Sequence, residues 1–485
     1  MRSAEPSLKE RPFWLLTLSL IFILIISQLI QDGAFNDGML YVSVAKNMAN
    51  GLGTFWQPYF GNIARSPFHD QPPLYFGILS IFFKLFGQSM YTERIFSLFT
   101  FVITMRYIQK IWKIIFRNDT IIANKSWLPV LLWIIIPICF WTYINFVEEI
   151  LMGVFTIISV YYILKFLTSD KNPILYISIA AFSLFLASLT KGFQGLYPMA
   201  AIVIYWTIEP AKISLKKCLL YTSILFLVPL LIYSVLLLNP DVYSAYKSYF
   251  QLRLVTAFNG SIATTNSRLH LLLDLFCQLL PPLLLSATIL LVSKIKKTIV
   301  LNKTTLKTAL WFSLIGLSGT IPLMATLEQR EFYIATSLPF FVIPIAILIV
   351  PSFSALQSGM NFESRTYKTF QNICWTLLVG SIVFTATRFG KFHRDKEELS
   401  DIYKFCTIIP SGSYINVTED LWYEYSVHTY FNRYNSTVLV HQKDKLFPFC
   451  MAPKSTILDS TFLSRYLKVS LTTNMFDLYK LKTYR

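Results

Sequence analysis

The sequence predicts an all-α polytopic membrane protein of about eleven transmembrane helices plus interfacial helices, followed by a small C-terminal α/β or α+β domain outside the bilayer. Three observations predict it. Of the 485 residues, 54% are hydrophobic and 14% charged, and the mean hydropathy is +0.52, which excludes an ordinary soluble enzyme. The apolar residues gather into runs of about 17 to 25, the length that roughly 30 Å of hydrocarbon demands of a helix. The stretch 391–485 has no such run; its charges are mixed, and β-rich segments at 413–417 and 437–440 alternate with helical ones such as 396–405.

The first span, 13–31, lies behind Arg2, Lys9 and Arg11. It is longer than a signal-peptide core and has no small-residue cleavage site, so it is expected to be retained. Further spans are expected at 95–115, 127–145, 150–167, 174–190, 193–208, 218–238, 271–292, 308–327, 332–350 and 372–388. The apolar stretch 72–87 opens with Pro-Pro and carries Lys84; it is expected to lie in the interface. Charge decides this point. With 72–87 not crossing, the side holding the N-terminus receives 20 Lys+Arg, and the opposite side, before the tail, receives 10 Lys+Arg and 10 Asp+Glu. That is the asymmetry of the positive-inside rule, and a crossing at 72–87 would reverse most of it. The net charge of +17 thus reports topology. Its basic residues do not cluster with stacking aromatics in one soluble module, which sets nucleic acid aside as a partner.

This orientation gives a membrane domain over 1–390 and a soluble domain over 391–485. The outer face receives the loop 32–90, Glu148 with Glu149, the loop 239–270, the segment 328–331 and the tail. Cys406 and Cys450 share the outer domain, where a disulfide is permitted. Asn-x-Ser/Thr triplets at Asn259, Asn416 and Asn435 also face outward. No Cys/His spacing suits a metal, so no cofactor is expected; a divalent metal is left unsupported.

A transporter usually carries ionisable residues inside its spans. Here they collect in outer loops at the membrane boundary, which favours an interfacial enzyme over a lipid or polysaccharide flippase. Helical spacing puts Asp37, Tyr41, Ala45 and Met48 on one face. Asp37 sits where a helix would begin, so an N-cap is its plain alternative to a catalytic role.

That stretch, together with Asn50-Gly51, Trp56-Gln57-Pro58, Gln71-Pro72-Pro73-Leu74-Tyr75-Phe76, Gly87-Gln88-Ser89 and Arg94, resembles the N-terminal region of the GT-C glycosyltransferases. The protein O-mannosyltransferases and lipid A aminoarabinose transferases are the most similar groups. Asn145-Phe146-Val147-Glu148 is similar to their second acidic position. Leu189-Thr190-Lys191-Gly192 is similar to their Lys-Gly, and Arg330-Glu331-Phe332-Tyr333 with Pro339 to their Arg-Tyr-Pro element. Two positions depart from the pattern: Gly38 stands where many relatives carry a second acid, and Gln71 where they carry Lys or His before Pro-Pro.

The resemblance implies a sugar linked through phosphate to a polyprenol as donor, and an acceptor hydroxyl or phosphate on a lipid, glycan or protein. Transfer would be inverting, on the extracytoplasmic face of the plasma (inner) membrane. Asp37 and Glu148 are the implied catalytic carboxylates, with Asp32 dispensable. Arg94, Lys191, Arg253 and Arg330 are candidates for the donor phosphate, against snorkelling at the interface; for Glu148 the alternative is helix-dipole complementarity. Tyr41, His69, Gln71 and Tyr333 would line the substrate cleft. In intact cells, cysteines placed singly at Lys84, Lys297 and Lys443 of a Cys-free variant should react with an impermeant thiol reagent at the first and third positions only; labelling at Lys297 would reverse the orientation.

Overall fold

The computed structural model describes residues 9–61, 67–169, 171–258, 263–298, 303–442 and 444–482; Arg65, Asn259 and Lys443 lie outside them. Among the described residues, eight helices are long and apolar enough to cross a membrane, or up to nine if the bent pair Thr120–Ile134 and Pro137–Ile144 is one span. The difference from about eleven has two physical sources. Tyr91–Ile115 is a 25-residue helix, long enough to cross, but Arg106, Gln109 and Lys110 dilute its apolar character. Pro173–Ile208 is one helical stretch of 36 residues that doubles back on itself. Gly192 has φ 69°, and a Cβ on Gly195 would lie 2.6 Å from the carbonyl carbon of Ala187. Tyr233 meets Ser188 near one end of the helix Leu215–Leu236, whereas Cys218 at its other end meets the carbonyl of Ile202 at 3.9 Å. The 174–190 and 193–208 segments are therefore antiparallel neighbours.

The stretch 72–87 forms the helix Leu74–Phe86 of 13 residues, about 20 Å long at 1.5 Å per residue and too short to span. Tyr75, Phe76, Leu79 and Phe83 are buried, while Ile81, Leu85 and Phe86 are exposed, so one apolar face packs on the bundle and the other is left uncovered. The 79° bend in 127–145 follows from Pro137, which forces Ile136 into an extended conformation (ψ 123°).

The C-terminal segment forms a five-stranded mixed sheet in the order β2-β1-β3-β5-β4. Here β1 is Tyr414–Val417, β2 Val438–Val440, β3 Phe449–Pro453, β4 Tyr466–Lys468 and β5 Phe476–Leu481. Strand β1 runs parallel to β2 and β3, and β5 antiparallel to β3 and β4. Cys406 and Cys450 are unpaired; Cys450 packs on β3 among Ala452, Tyr466 and Tyr479. The side-chain amides of Asn416 and Asn435 donate to the carbonyls of Gln442 and Ile409.

This sheet domain does not stand apart. Its core is continuous with that of the helices, and its helix Tyr425–Asn435 packs on the loop helix Asn36–Ala49. Lys46 donates to the carbonyls of Asn432 and Arg433 at 2.5 and 3.0 Å and to Ser436 Oγ at 2.9 Å, which satisfies the end of Tyr425–Asn435 with a cation. Arg433 pairs with Glu93 at 2.8 Å and donates to the carbonyls of Gln88 and Ser89. Asp32 accepts from Tyr434 at 2.5 Å, from Tyr403, and from Arg94 at 3.2 Å. Asp32, Glu93, Arg94 and Arg433 are all buried, so removing one leaves an uncompensated charge in a low-dielectric interior, at a cost of roughly 3–5 kcal/mol. Arg433→Met should lower the melting temperature in detergent and open the linker 387–395 to protease. Asp32→Asn should do the same more mildly, so Asp32 is no inert control; unchanged melting and proteolysis in both variants would remove the network from the docking.

Candidate functional site

Four helix ends and loops meet beside the Asn36–Ala49 helix. Its N-cap is Phe35, so Asp37 falls in the first turn rather than at the cap, and it accepts no hydrogen bond from a described residue. The half-buried carboxyl is pushed above the usual Asp range by desolvation, against the opposing pull of Lys191, Arg330 and Arg253. Gly38 is packed so tightly on the carbonyl of Asn145 that a Cβ would collide with it. A second acid at position 38, as in the resembling families, therefore has no room here.

Asn145 also accepts from the Phe35 N–H through its side-chain oxygen at 2.7 Å, which ties the Asp37 helix to the turn that follows Pro137–Ile144. In that turn Phe146 has φ 55°, a left-handed conformation unfavourable for an aromatic residue. Glu148 comes next, at the start of the Glu149–Thr168 helix, fully buried and with neither carboxylate oxygen hydrogen-bonded to a described residue. Burial pushes its carboxyl well above the usual range; Lys191 pulls it back, and Glu149 and Asp70 add to the rise. Burial thus favours the protonated form of Glu148 over its carboxylate.

Lys191 ends the Pro173–Lys191 helix. It pairs with Glu149 and lies over the rings of Tyr333 and Phe332 at 4.8 and 5.5 Å. Gly192 makes this end possible twice over: its φ is 69°, and a Cβ would collide with the Tyr249 hydroxyl. Arg253 bridges Asp70 and, at 3.2 Å, Glu328, and its buried Nε has no partner among the described residues. Tyr333 faces Glu328 at 3.5 Å, and burial pushes its hydroxyl up to about 12. Tyr41 is buried one turn beyond Asp37, and Glu148, Asp37 and Asp70 all act on it electrostatically.

Asp37, Tyr41, Glu148, Lys191, Arg253 and Tyr333 therefore form one electrostatic cluster. Other expected members stand elsewhere. Arg94 spends its donors on the carbonyls of Gln31 and Met90 and on Asp32 and Glu93, so it fixes the outer domain and has no donor left for phosphate. His69 bonds the Trp56 carbonyl at 3.1 Å, and burial lowers its pKa below the usual value; with Gln71 it lines a small recess beside Tyr249. Arg330, by contrast, belongs with the cluster: it is exposed on the rim of a second pocket and acts electrostatically on Asp37. Sequence reasoning missed Glu149, Asp70 and Glu328 as the partners of the two cations. The tandem acids 148–149, and Asp70 directly before Gln71-Pro72-Pro73, were the available signals. Among the described residues, no three His, Cys, Asp or Glu side chains converge in a metal-ligating arrangement.

Comparisons place this geometry in a known fold. The dolichyl-phosphate-mannose-protein mannosyltransferase family matches residues 70–238. No curated protein matches the sequence. The structure is similar to that of ArnT from Cupriavidus metallidurans bound to undecaprenyl phosphate, with a TM-score of 0.64 and 11% identity over 96% of this chain and 97% of that one. It is also similar to apo ArnT (TM-score 0.61, 10% identity, covering 94% and 95%). The oligosaccharyltransferase of Archaeoglobus fulgidus in its apo form matches at 0.53 and 12% identity, over 90% of this chain and 64% of that one.

Because the folded state holds Asp37 above its ordinary pKa, its charge costs stability above the unfolded pKa, and the cost vanishes as pH falls below both values. Asp37→Asn should therefore melt no lower than wild type at pH 7, with the difference fading toward pH 3. A large destabilisation at pH 7 would show that the carboxylate serves the fold.

Proposed function

We propose that this chain, which has the GT-C glycosyltransferase fold, moves one sugar from a polyprenyl-phosphate carrier to an acceptor hydroxyl on the extracytoplasmic face of the plasma membrane. The observation that carries this reading is a carboxylate without a hydrogen-bond partner among the described residues, Asp37, under the electrostatic influence of Lys191 and Arg253, with an apolar groove that ends beside Lys191. The groove has a volume of about 540 Å³ and is lined by residues such as Phe193, Leu196, Met199, Phe226, Leu230 and Tyr249. It reaches Gly192, next to Lys191, so a prenyl tail lying in it brings its phosphate to the cations.

In the reaction Asp37 takes the proton of the acceptor hydroxyl as its oxygen bonds to the anomeric carbon. The bond from that carbon to the phosphate oxygen breaks with its electron pair, and polyprenyl phosphate leaves from the opposite face, inverting the centre. A phosphate leaving group needs cations rather than a proton. Lys191 and the unpartnered Nε of Arg253 supply them, while Glu149, Asp70 and Glu328 hold both side chains in place. Glu148, whose burial favours the protonated form and whose oxygens have no partner among the described residues, donates a hydrogen bond to the sugar. The desolvated surroundings strengthen each of these contacts.

The reading also accounts for where the ion pairs lie. Lys125–Glu10 closes the end of the bundle opposite the site, and the remaining buried pairs gather at the outer end, away from the mid-bilayer positions a flippase uses.

Mass spectrometry of envelope lipids and glycoproteins from a deletion strain identifies the product. With purified protein and a polyprenyl-phosphate sugar, Asp37→Asn should lose about 10² to 10⁴ in rate and remain monodisperse. The acid limb of the wild-type pH profile should lie above the ordinary Asp range. Near-normal turnover by Asp37→Asn would sink the reading. Lys191→Gln and Arg253→Gln should weaken donor use by roughly tenfold or more; donor kinetics unchanged in both would clear the two cations of a role.

A further inference from the structure

We infer that a second pocket beside Asp37 is an acceptor site for a pyranose ring, so that the acceptor is a glycan or glycolipid head group rather than a polypeptide side chain. The inference rests on the transferase reading above and specifies its acceptor. The pocket has a volume of about 370 Å³ and is lined by Phe35, Trp141 and Phe332 with Gln278, Arg330 and Glu331, among others. It lies across Phe332 from Lys191, whose ammonium covers that ring, and its wall includes Phe35, two residues before Asp37. Arg330 on its rim acts electrostatically on Asp37, as does Lys191 at the end of the apolar groove.

The two linings differ in chemistry. The groove offers almost only apolar surface, which suits a prenyl chain. The second pocket is an aromatic corner with a polar rim: Phe35 stands 5.2 Å from Trp141 and 6.0 Å from Phe332, and Trp141 stacks on Phe332 at 5.5 Å with 20° between the planes. The C–H faces of a pyranose pack on such rings, while its neighbouring hydroxyls need planar groups with paired donors or acceptors. Three such groups stand on the rim. Gln278 caps the Ile138 N–H at 2.8 Å and donates to Glu331 at 3.2 Å, which orients the carboxylate, and Arg330 is exposed with no ion pair to a described residue. A peptide bound by strand addition would need an exposed strand edge, and the described residues that wall this pocket include no strand.

Saturation-transfer difference NMR on the full chain in detergent tests this. The probes are methyl glycosides of glucose, galactose, mannose and N-acetylglucosamine, with a blocked Ser-containing tripeptide alongside. At least one glycoside should show ring-proton saturation, reduced fivefold or more in Trp141→Ala and Glu331→Gln and kept in Trp141→Phe and in Lys191→Gln. Saturation of the tripeptide alone, of no probe, or of glycosides equally in wild type and Trp141→Ala overturns the assignment. Sugar transfer without glycoside binding would sink this inference and leave the transferase reading standing; glycoside binding without transfer from any polyprenyl-phosphate sugar would do the reverse.

Discussion

Charge buried at the end of the helix bundle that carries the sheet domain is the constraint from which the rest of the arrangement follows. Asp32, Glu93, Arg94 and Arg433 come from three distant parts of the chain and are removed from water together. Each is tolerable only because the others are present, and the hydroxyls of Tyr403 and Tyr434 complete the set. Because Arg433 belongs to the sheet domain and Asp32 to the first outer loop, the network joins the two. The Asn36–Ala49 helix lies between them, with Lys46 held by the sheet domain at one end and Asp37 presented to the membrane domain at the other.

A second group of charges lies at the same level and is built in the opposite way. In the docking network the carboxylates and guanidinium groups are matched by partners. Around Asp37 they are not: both oxygens of Glu148, one oxygen of Glu149 and the Nε of Arg253 are buried without a partner among the described residues. Leaving such groups unmet costs free energy, a cost that a fold carries where a ligand will complete the contacts. Arg94, buried, has every donor matched, whereas Arg253, half-buried, keeps an unmatched Nε.

The sequence by itself determined the membrane class, most of the helix positions and two of the short strands of the tail, near 413–417 and 437–440. Those features are local. Apolar runs of spanning length declare themselves, Pro-Pro and Lys-Gly mark helix boundaries, and 72–87 is too short to cross whatever packs on it. Even the absence of a second acid at position 38 was visible, though its cause, the backbone of Asn145 pressed against that glycine, was not.

Tertiary structure alone decided what each cation serves. Arg94, Arg253 and Arg330 look alike as outward-facing arginines near the boundary, yet one locks the outer domain, one bridges Asp70 and Glu328 in the site, and one stands on the rim of the aromatic pocket. Asp32 and Asp37 separate in the same way, one saturated by Tyr403, Tyr434 and Arg94 and the other left free. The reason is physical: the role of a charge near a membrane depends on its partners and its desolvation, and both come from residues hundreds of positions away. Arg433 and Glu93 are 340 residues apart, and no local pattern encodes that meeting.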